Sequence, residues 1–301
     1  MKRAVVLLNM GGARNKKELK EFLKNMFLDK RIINSPLRYL VSPILMLRAT
    51  KVWKNYELIG GSRIYEYTQN LIKKIGDLSR GDYDILFAMR YTKPKIADIF
   101  YGKEYDEALL FPMYPHFSTT TILSSFDDAD RFFRGKNTKI FKSEHFFDDE
   151  RFNKTIINSI KKHAKSGAHL IFSAHSLPLS IAKKDVYETH IKKHVEILSE
   201  SLKDIGFAGI HTAYQSKLGP IEWLKPSIEE VLKSVAPSPV VIYPLSFTID
   251  NSESDFELAI YYKNTAELLG ITSYEVCKAQ NDSDEFAKFI DEKARESLKI
   301  K

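Results

Sequence analysis

The sequence predicts an α/β protein built on mostly parallel sheet with helices on both faces. Two observations carry this expectation. Short apolar runs of strand length alternate with longer stretches whose apolar residues recur at helical spacing. Eight such runs fall within 301 residues, which suits two sheets of four better than one large sheet.

The runs occupy residues 4–9, 85–89, 108–111, 139–142, 170–174, 209–213, 240–244 and 272–277. Between them, Leu19, Phe22, Leu23, Met26 and Phe27 line one helical face. Phe152, Ile156 and Ile160 do the same, with Gly167 where that helix would end. Another helix is expected over 185–205, closed by Gly206. The last is opened by Asp282 and Glu285 as a capping box and carries Phe286, Phe289, Ile290, Ala294 and Leu298 on one face. A division near 142–145 shares the strands evenly. The sequence displays no internal repeat, low-complexity segment or Pro/Gly/Ser-rich linker, so two closely packed domains are expected.

Hydrophobic residues make up 44% and charged residues 28%, which argues against disordered and fibrous architectures. No stretch nears the roughly 20 apolar residues of a membrane-spanning helix. The apolar part of Met1-Lys-Arg-Ala-Val-Val-Leu-Leu-Asn-Met10 is too short for a signal peptide and reads as a first strand. A single cysteine, Cys277, excludes an intramolecular disulfide framework and a four-cysteine iron–sulfur or zinc site. The cytoplasm is the expected compartment. The net charge of +7, from 46 basic and 39 acidic residues, suits an anionic ligand, an anionic membrane surface or nucleic acid alike.

In open α/β sheets, ligands bind beyond the carboxyl ends of the strands. The first run leads into Asn9-Met-Gly-Gly-Ala13, whose glycines permit a tight turn but fit neither a dinucleotide fingerprint nor a P-loop. Met10 reads either as core or as a thioether lying against a flat ligand. Arg90 and Tyr91 follow the second run. Pro112-Met-Tyr-Pro-His-Phe-Ser-Thr-Thr-Thr121 follows the third, with Ser124 and Ser125 beyond it. Hydroxyls before a helix are most often N-caps; the same row also suits a ligand carboxylate.

His175 directly follows the run 170–174, at the ligand end of its strand. A neutral imidazole there can take protons or bind a metal near neutral pH. His116, His145, His163, His169, His190, His194 and His211 have no comparable placing and are expected mostly at the surface. The run 240–244 leads to Asp250, Glu253 and Glu257. The two glutamates share a face if their segment is helical. A capped helix with an acidic first turn and an oxygen-donor path for a divalent cation are both open readings. Residues 35–53 break the alternation, being apolar, cationic and interrupted by Pro36 and Pro43. They read either as a buried helix pair or as a hydrophobic lip able to grip an apolar anion or rest on a bilayer.

Taken together, these segments resemble the ferrochelatases, the family that inserts ferrous iron into a porphyrin in haem synthesis. The likeness runs in order along nearly the whole chain. It comprises Leu7-Leu-Asn-Met-Gly-Gly12, Ile59-Gly-Gly-Ser62, Met89-Arg-Tyr91, and Phe111-Pro-Met-Tyr114 with its Ser/Thr run. It continues through Phe172-Ser-Ala-His-Ser-Leu-Pro178, then Ala213-Tyr-Gln-Ser-Lys217 with Gly219-Pro220, Trp223 and Pro226, to Asp250, Glu253 and Glu257. Each fragment is weak alone; the ordered set is specific.

The resemblance implies two Rossmann-like domains, residues 1–142 and 143–301, with a porphyrin cleft between them. The lip at 35–53 would lie at the cleft mouth, and the last helix would pack back on the first domain. It implies Fe²⁺ and protoporphyrin IX or coproporphyrin III as substrates, with no tightly bound cofactor, no iron–sulfur cluster and no nucleic-acid partner. His175 would accept pyrrole protons or contact the metal, Glu253 would face it across the macrocycle, and Glu257 would extend the metal path. Met10 would lie over the opposite porphyrin face. Arg90, Tyr91, Ser118, Thr119 and Thr120 would fall near the macrocycle or its propionates. Peripheral contact with an anionic membrane, at the inner face of the cytoplasmic membrane, is a further expectation.

The chain departs from the family where a histidine usually follows the aspartate and Asn251 stands instead. A three-glycine signature ending in proline is here Ile59-Gly-Gly-Ser-Arg63. Two further readings stay open: a non-catalytic porphyrin or haem carrier, for which only Asn251 speaks, and a cobalt chelatase, which would more often bring extra histidines to the metal position.

Overall fold

The computed structural model describes every residue except 37, 41, 42, 44–48, 218 and 301. Among the described residues, eight strands form two four-stranded sheets, parallel throughout. The first contains β1 (Arg3–Asn9), β2 (Asp84–Met89), β3 (Glu107–Pro112) and β4 (Lys139–Lys142), in the order β2-β1-β3-β4. The second contains β5 (His169–His175), β6 (Gly209–Gln215), β7 (Val240–Pro244) and β8 (Tyr274–Val276), in the order β6-β5-β7-β8. Strands β3 and β7 are buried along their whole length, as apolar strands covered on both faces must be.

The chain divides into two compact units. Unit 1 comprises Met1–Tyr114, Ser118–His145 and Asn281–Lys301; unit 2 comprises Pro115–Phe117 and Phe146–Gln280.

In unit 1 the helix Lys16–Phe27 buries Leu19, Phe22, Leu23 and Phe27, and Asn15 caps it by accepting the Glu18 N–H. The turn between β1 and that helix needs glycine. Gly11 has φ +89°, and a Cβ there would fall 2.2 Å from Thr92 Oγ1. The helix Asp284–Leu298 packs on the helix Ile64–Ser79. Asp291 accepts from the Tyr83 hydroxyl (2.6 Å) and from Arg295 (3.0 Å). The cap of this last helix differs from the expected one. Ser283, not Asp282, accepts the first-turn N–H of Phe286, while Asp282 ties to Asn70 and Lys74.

In unit 2 the helices Ile228–Val235 and Tyr262–Leu268 cover one sheet face through Ile171, Ala213, Val240 and Ile242. The helix expected over 185–205 is Tyr187–Leu202, tightened into a 3₁₀ turn at Lys203–Ile205 and ended by left-handed Gly206.

The two units share one strand order, although no repeat is visible in the sequence. In each, the third strand of that order ends on proline and leads to a π-helix: Thr119–Leu123 after β3, Glu253–Tyr261 after β7. Of the apolar stretch 35–53, residues 37, 41, 42 and 44–48 lie outside the described residues. Tyr39 and Leu40 are 62% and 69% exposed, whereas Ala49 belongs to the core of unit 1, with Trp53 packed against it. No helix among the described residues is long and apolar enough to cross a membrane.

Candidate active site

Strand β5 delivers His175 at its carboxyl end, level with Gln215 at the end of β6. The backbone of His175 is pinned from both sides. Its N–H donates to Ser246 Oγ (3.0 Å), and its carbonyl accepts from the Tyr187 hydroxyl (3.1 Å). The imidazole Nδ1 lies 2.8 Å from Glu253 Oε2. That oxygen also accepts from Gln215 Nε2 (3.1 Å) and Ser216 Oγ (2.7 Å). Ser216 Oγ reaches Glu257 Oε2 as well, at 2.6 Å. The π-helix that carries both glutamates is entered through Asn251, whose Oδ1 accepts the Glu253 N–H (2.8 Å) and whose own N–H donates to Ser254 Oγ (2.9 Å). Where the family usually has a histidine, this chain therefore has a helix-starting amide. π-Helical segments are rare and are found frequently at functional sites.

The charges follow from these contacts. Burial alone would lower the basicity of His175, but its side chain is 39% exposed, and the carboxylate of Glu253 outweighs that cost. The imidazole therefore titrates above its usual value. Burial would raise Glu253, yet the charge and hydrogen bond of His175, with the bonds from Ser216 and Gln215, hold it below the usual carboxylate range. Glu257 is pushed up to about 7 by burial and by the charge of Glu253. A hydroxyl has one proton to give. Ser216 can donate to only one glutamate at a time, and the raised affinity of Glu257 for a proton suits the second contact.

One expectation is overturned. Glu253 does not face His175 across a macrocycle, because a 2.8 Å hydrogen bond leaves no room for an aromatic disc between them. The two side chains meet each other directly. Glu257 joins them through Ser216. The donors are tied to one another and form no ready-made cage. Among the described residues, no group of three or more His, Cys, Asp or Glu side chains is arranged to hold a metal ion.

The expected contacts of the macrocycle or its propionates lie in unit 1. Arg90 donates to Asp29 (2.9 Å) and Ser124 (2.9 Å), and the Tyr91 hydroxyl also reaches Asp29 (3.1 Å). Ser124 donates to the same carboxylate. Tyr91 is buried against Phe22, edge to face, with Met10 packed on the same cluster. Ser118 caps the π-helix Thr119–Leu123 through the Thr120 N–H (3.2 Å) and meets the Thr120 hydroxyl at 2.9 Å. For Ser118 the capping reading holds; the Thr120 hydroxyl instead pairs with the cap. Thr119 is half-buried beside them.

Comparison with known proteins decides the family. The family model described as Ferrochelatase matches residues 2–298. The chain belongs to the ferrochelatase family. A ferrochelatase of Campylobacter concisus is 45% identical, with 98% of each chain covered. One from Campylobacter fetus is 44% identical over 98% of this chain and 99% of its own. As a ferrochelatase-family enzyme, the protein is a metal chelatase that inserts metal into a porphyrin on the way to haem. Two solved structures share the chelatase-like fold at low identity. SirB from Bacillus subtilis, solved with Fe³⁺, has a TM-score of 0.56 at 14% identity, covering 99% of this chain and 96% of its own. CbiX, the terminal enzyme of sirohaem biosynthesis in denitrifying bacteria, has a TM-score of 0.55 at 11% identity, covering 99% and 100%.

Within this ferrochelatase-family fold the other histidines lie deeper than a surface reading expects: His116 and His194 are buried, and His145, His163, His169, His190 and His211 are half-buried. His116 and His194 are buried and meet at 2.9 Å, and His194 meets Asn153 Oδ1 at 2.7 Å. Burial pushes His194 down to about 3, so it is neutral. It donates from Nε2 to Asn153 and accepts at Nδ1 from His116. His190 accepts the Phe117 N–H (3.2 Å), and His169 meets His211 at 2.9 Å. The spacing of Ile191, His194 and Leu198 on one helical face was the available signal for a core histidine. Sequence reasoning also missed Asp29, Gln215, Ser216, Tyr187 and Ser246. Gln215, Ser216 and Ser246 had a local cue, their position at or just past a strand's carboxyl end.

Proposed function

We propose that this enzyme inserts Fe²⁺ into protoporphyrin IX or the closely related coproporphyrin III, by binding a bent macrocycle and passing pyrrole protons to His175. The observation that supports this is the contact of His175 with Glu253 at a strand end, with Glu257 joined through one hydroxyl. With its proton on Nδ1, directed at Glu253, a neutral imidazole keeps Nε2 as the base. A free-base porphyrin carries two inner N–H groups, and its lone pairs point out of plane only when the ring is bent. A rigid site that favours the bent ring stabilises the transition state over the flat substrate. Carboxylate oxygens hold Fe²⁺ loosely enough to hand it over, whereas closed thiolate sites retain a metal. His175, Glu253 and Glu257 then serve metal and protons on one face of the ring. Met10, Arg90, Tyr91, Ser118, Thr119 and Thr120 are proposed contacts of the macrocycle or its propionates. Two donors of Arg90 are committed to Asp29 and Ser124, so its effect on a propionate comes chiefly through charge. The scheme calls on no nucleotide or redox cofactor.

The purified protein, given Fe²⁺ anaerobically with either free-base porphyrin, is expected to develop the metalloporphyrin absorbance far faster than buffer. A preference for one porphyrin names the substrate; no acceleration with either sinks the proposal. We further propose peripheral contact with an anionic membrane on the cytoplasmic side, supported by the exposure of Tyr39 and Leu40 beside Arg38. Neutralising Arg38 and Arg48 should weaken sedimentation with anionic vesicles, and unchanged sedimentation would count against a membrane role.

A further inference from the structure

Ser216 sits one residue beyond the end of β6 with φ +65°, a left-handed conformation that side chains bearing a Cβ rarely adopt. Among the described residues, most left-handed positions are glycine, and the other exceptions have ordinary causes. Arg80 and Lys299 end helices, and Asn281 is a residue type that tolerates the conformation. Ser216 has neither excuse. What its conformation achieves is to aim one hydroxyl at two acidic side chains four residues apart on the π-helix, at 2.7 Å and 2.6 Å. Glycine would make the same turn without strain but would leave that space without a donor.

We propose that Ser216 is a positioning residue for metal handling: its hydroxyl spaces Glu253 and Glu257 so that their facing oxygens remain close enough to share one divalent cation. The spacer is uncharged and rotatable. Turning about its Cα–Cβ bond withdraws the hydroxyl as a cation arrives and returns it once the cation has moved on to the porphyrin. Without it, Glu253 stays held by His175 and Gln215 while Glu257 swings away, and each approaching cation must first gather the pair. This inference rests on the reading of His175, Glu253 and Glu257 as the metal- and proton-handling residues.

Ser216→Gly is the decisive variant, because it keeps the turn and removes only the hydroxyl. It should raise the KM for the metal, read with Zn²⁺ or Fe²⁺, on the order of tenfold, in line with the effect of losing a residue that orients metal ligands. The kcat at saturating metal should change far less, and porphyrin affinity from fluorescence quenching should hold. Its melting temperature should equal or exceed that of the parent, whereas Ser216→Ala should match it in KM but melt lower. A structural role alone predicts the reverse, with activity following stability. Ser216→Gly with the parental metal KM overturns the proposal. Undiminished turnover by Glu253→Gln and Glu257→Gln would instead strike the reading beneath it, so the two failures are told apart.

Discussion

His175 Nδ1 and Glu253 Oε2 stand 2.8 Å apart, although 78 residues separate them in the chain. The contact does two things at once. It fixes which ring nitrogen carries the proton, and it raises the affinity of the imidazole for a second one. A base that must take protons from pyrrole nitrogens needs both.

Replacing His175 with alanine removes the proposed base. Loss of a general base costs about 10²–10⁴-fold in rate. We expect a fall in kcat of that order, measured by metalloporphyrin absorbance, with porphyrin affinity nearly unchanged. Normal turnover by His175→Ala would rule out its role.

Glu253→Gln tests the electrostatic half of the contact. The carboxylate is what lifts His175 above its usual value. Without it the imidazole loses its proton at lower pH, so the acid limb of the pH–rate profile should move to lower pH while the maximum rate drops. An unmoved limb would mean that another group governs it.

Glu257 should leave a mark on stability. Its carboxyl titrates at about 7 in the folded protein, against an ordinary glutamate value of 4.5. Between those values the folded form holds a proton that the unfolded chain has released. Its contribution therefore weakens as pH rises through that window. Melting temperatures taken at about pH 5 and about pH 7.5 should fall less with pH in Glu257→Gln than in the parent. Parallel pH dependences would contradict the raised value.

Asp29 anchors unit 1. It is 5% exposed and takes hydrogen bonds from Arg90, Tyr91 and Ser124. Asp29→Asn leaves the largely buried guanidinium of Arg90 without its closest anion. Breaking a buried ion pair this way costs about 3 kcal/mol. Urea unfolding followed by circular dichroism should register that loss; a shift below about 0.5 kcal/mol, the range of ordinary surface changes, would make the network peripheral.

The sheets were legible because parallel strands covered on both faces read as unbroken apolar runs. The weakest run, 272–277, shrinks to Tyr274–Val276, an edge strand only partly buried. The cap of the last helix falls one residue later than its sequence suggests, since Asp282 and Ser283 are both good caps and only geometry chooses between them. His175, Glu253 and Glu257 became candidates through their positions after strands. Their mutual arrangement was not legible, because a direct contact across 78 residues leaves no local trace. Asp29 was invisible for the same reason, lying 61 residues from Arg90. The turn at Ser216 depends on a backbone angle that its residue type disfavours, so no propensity points to it.

The shared wiring of the two sheets has an implication for where reactivity comes from. Strands β1 and β5 hold the same place in their sheets and are equally long, yet one ends in the amide of Asn9 and the other in the imidazole of His175. The π-helices that follow β3 and β7 open with a threonine in one half and a glutamate in the other. A single scaffold thus occurs as a neutral copy and an acid–base copy. What separates the two copies is which side chains were installed in one socket, not the socket itself.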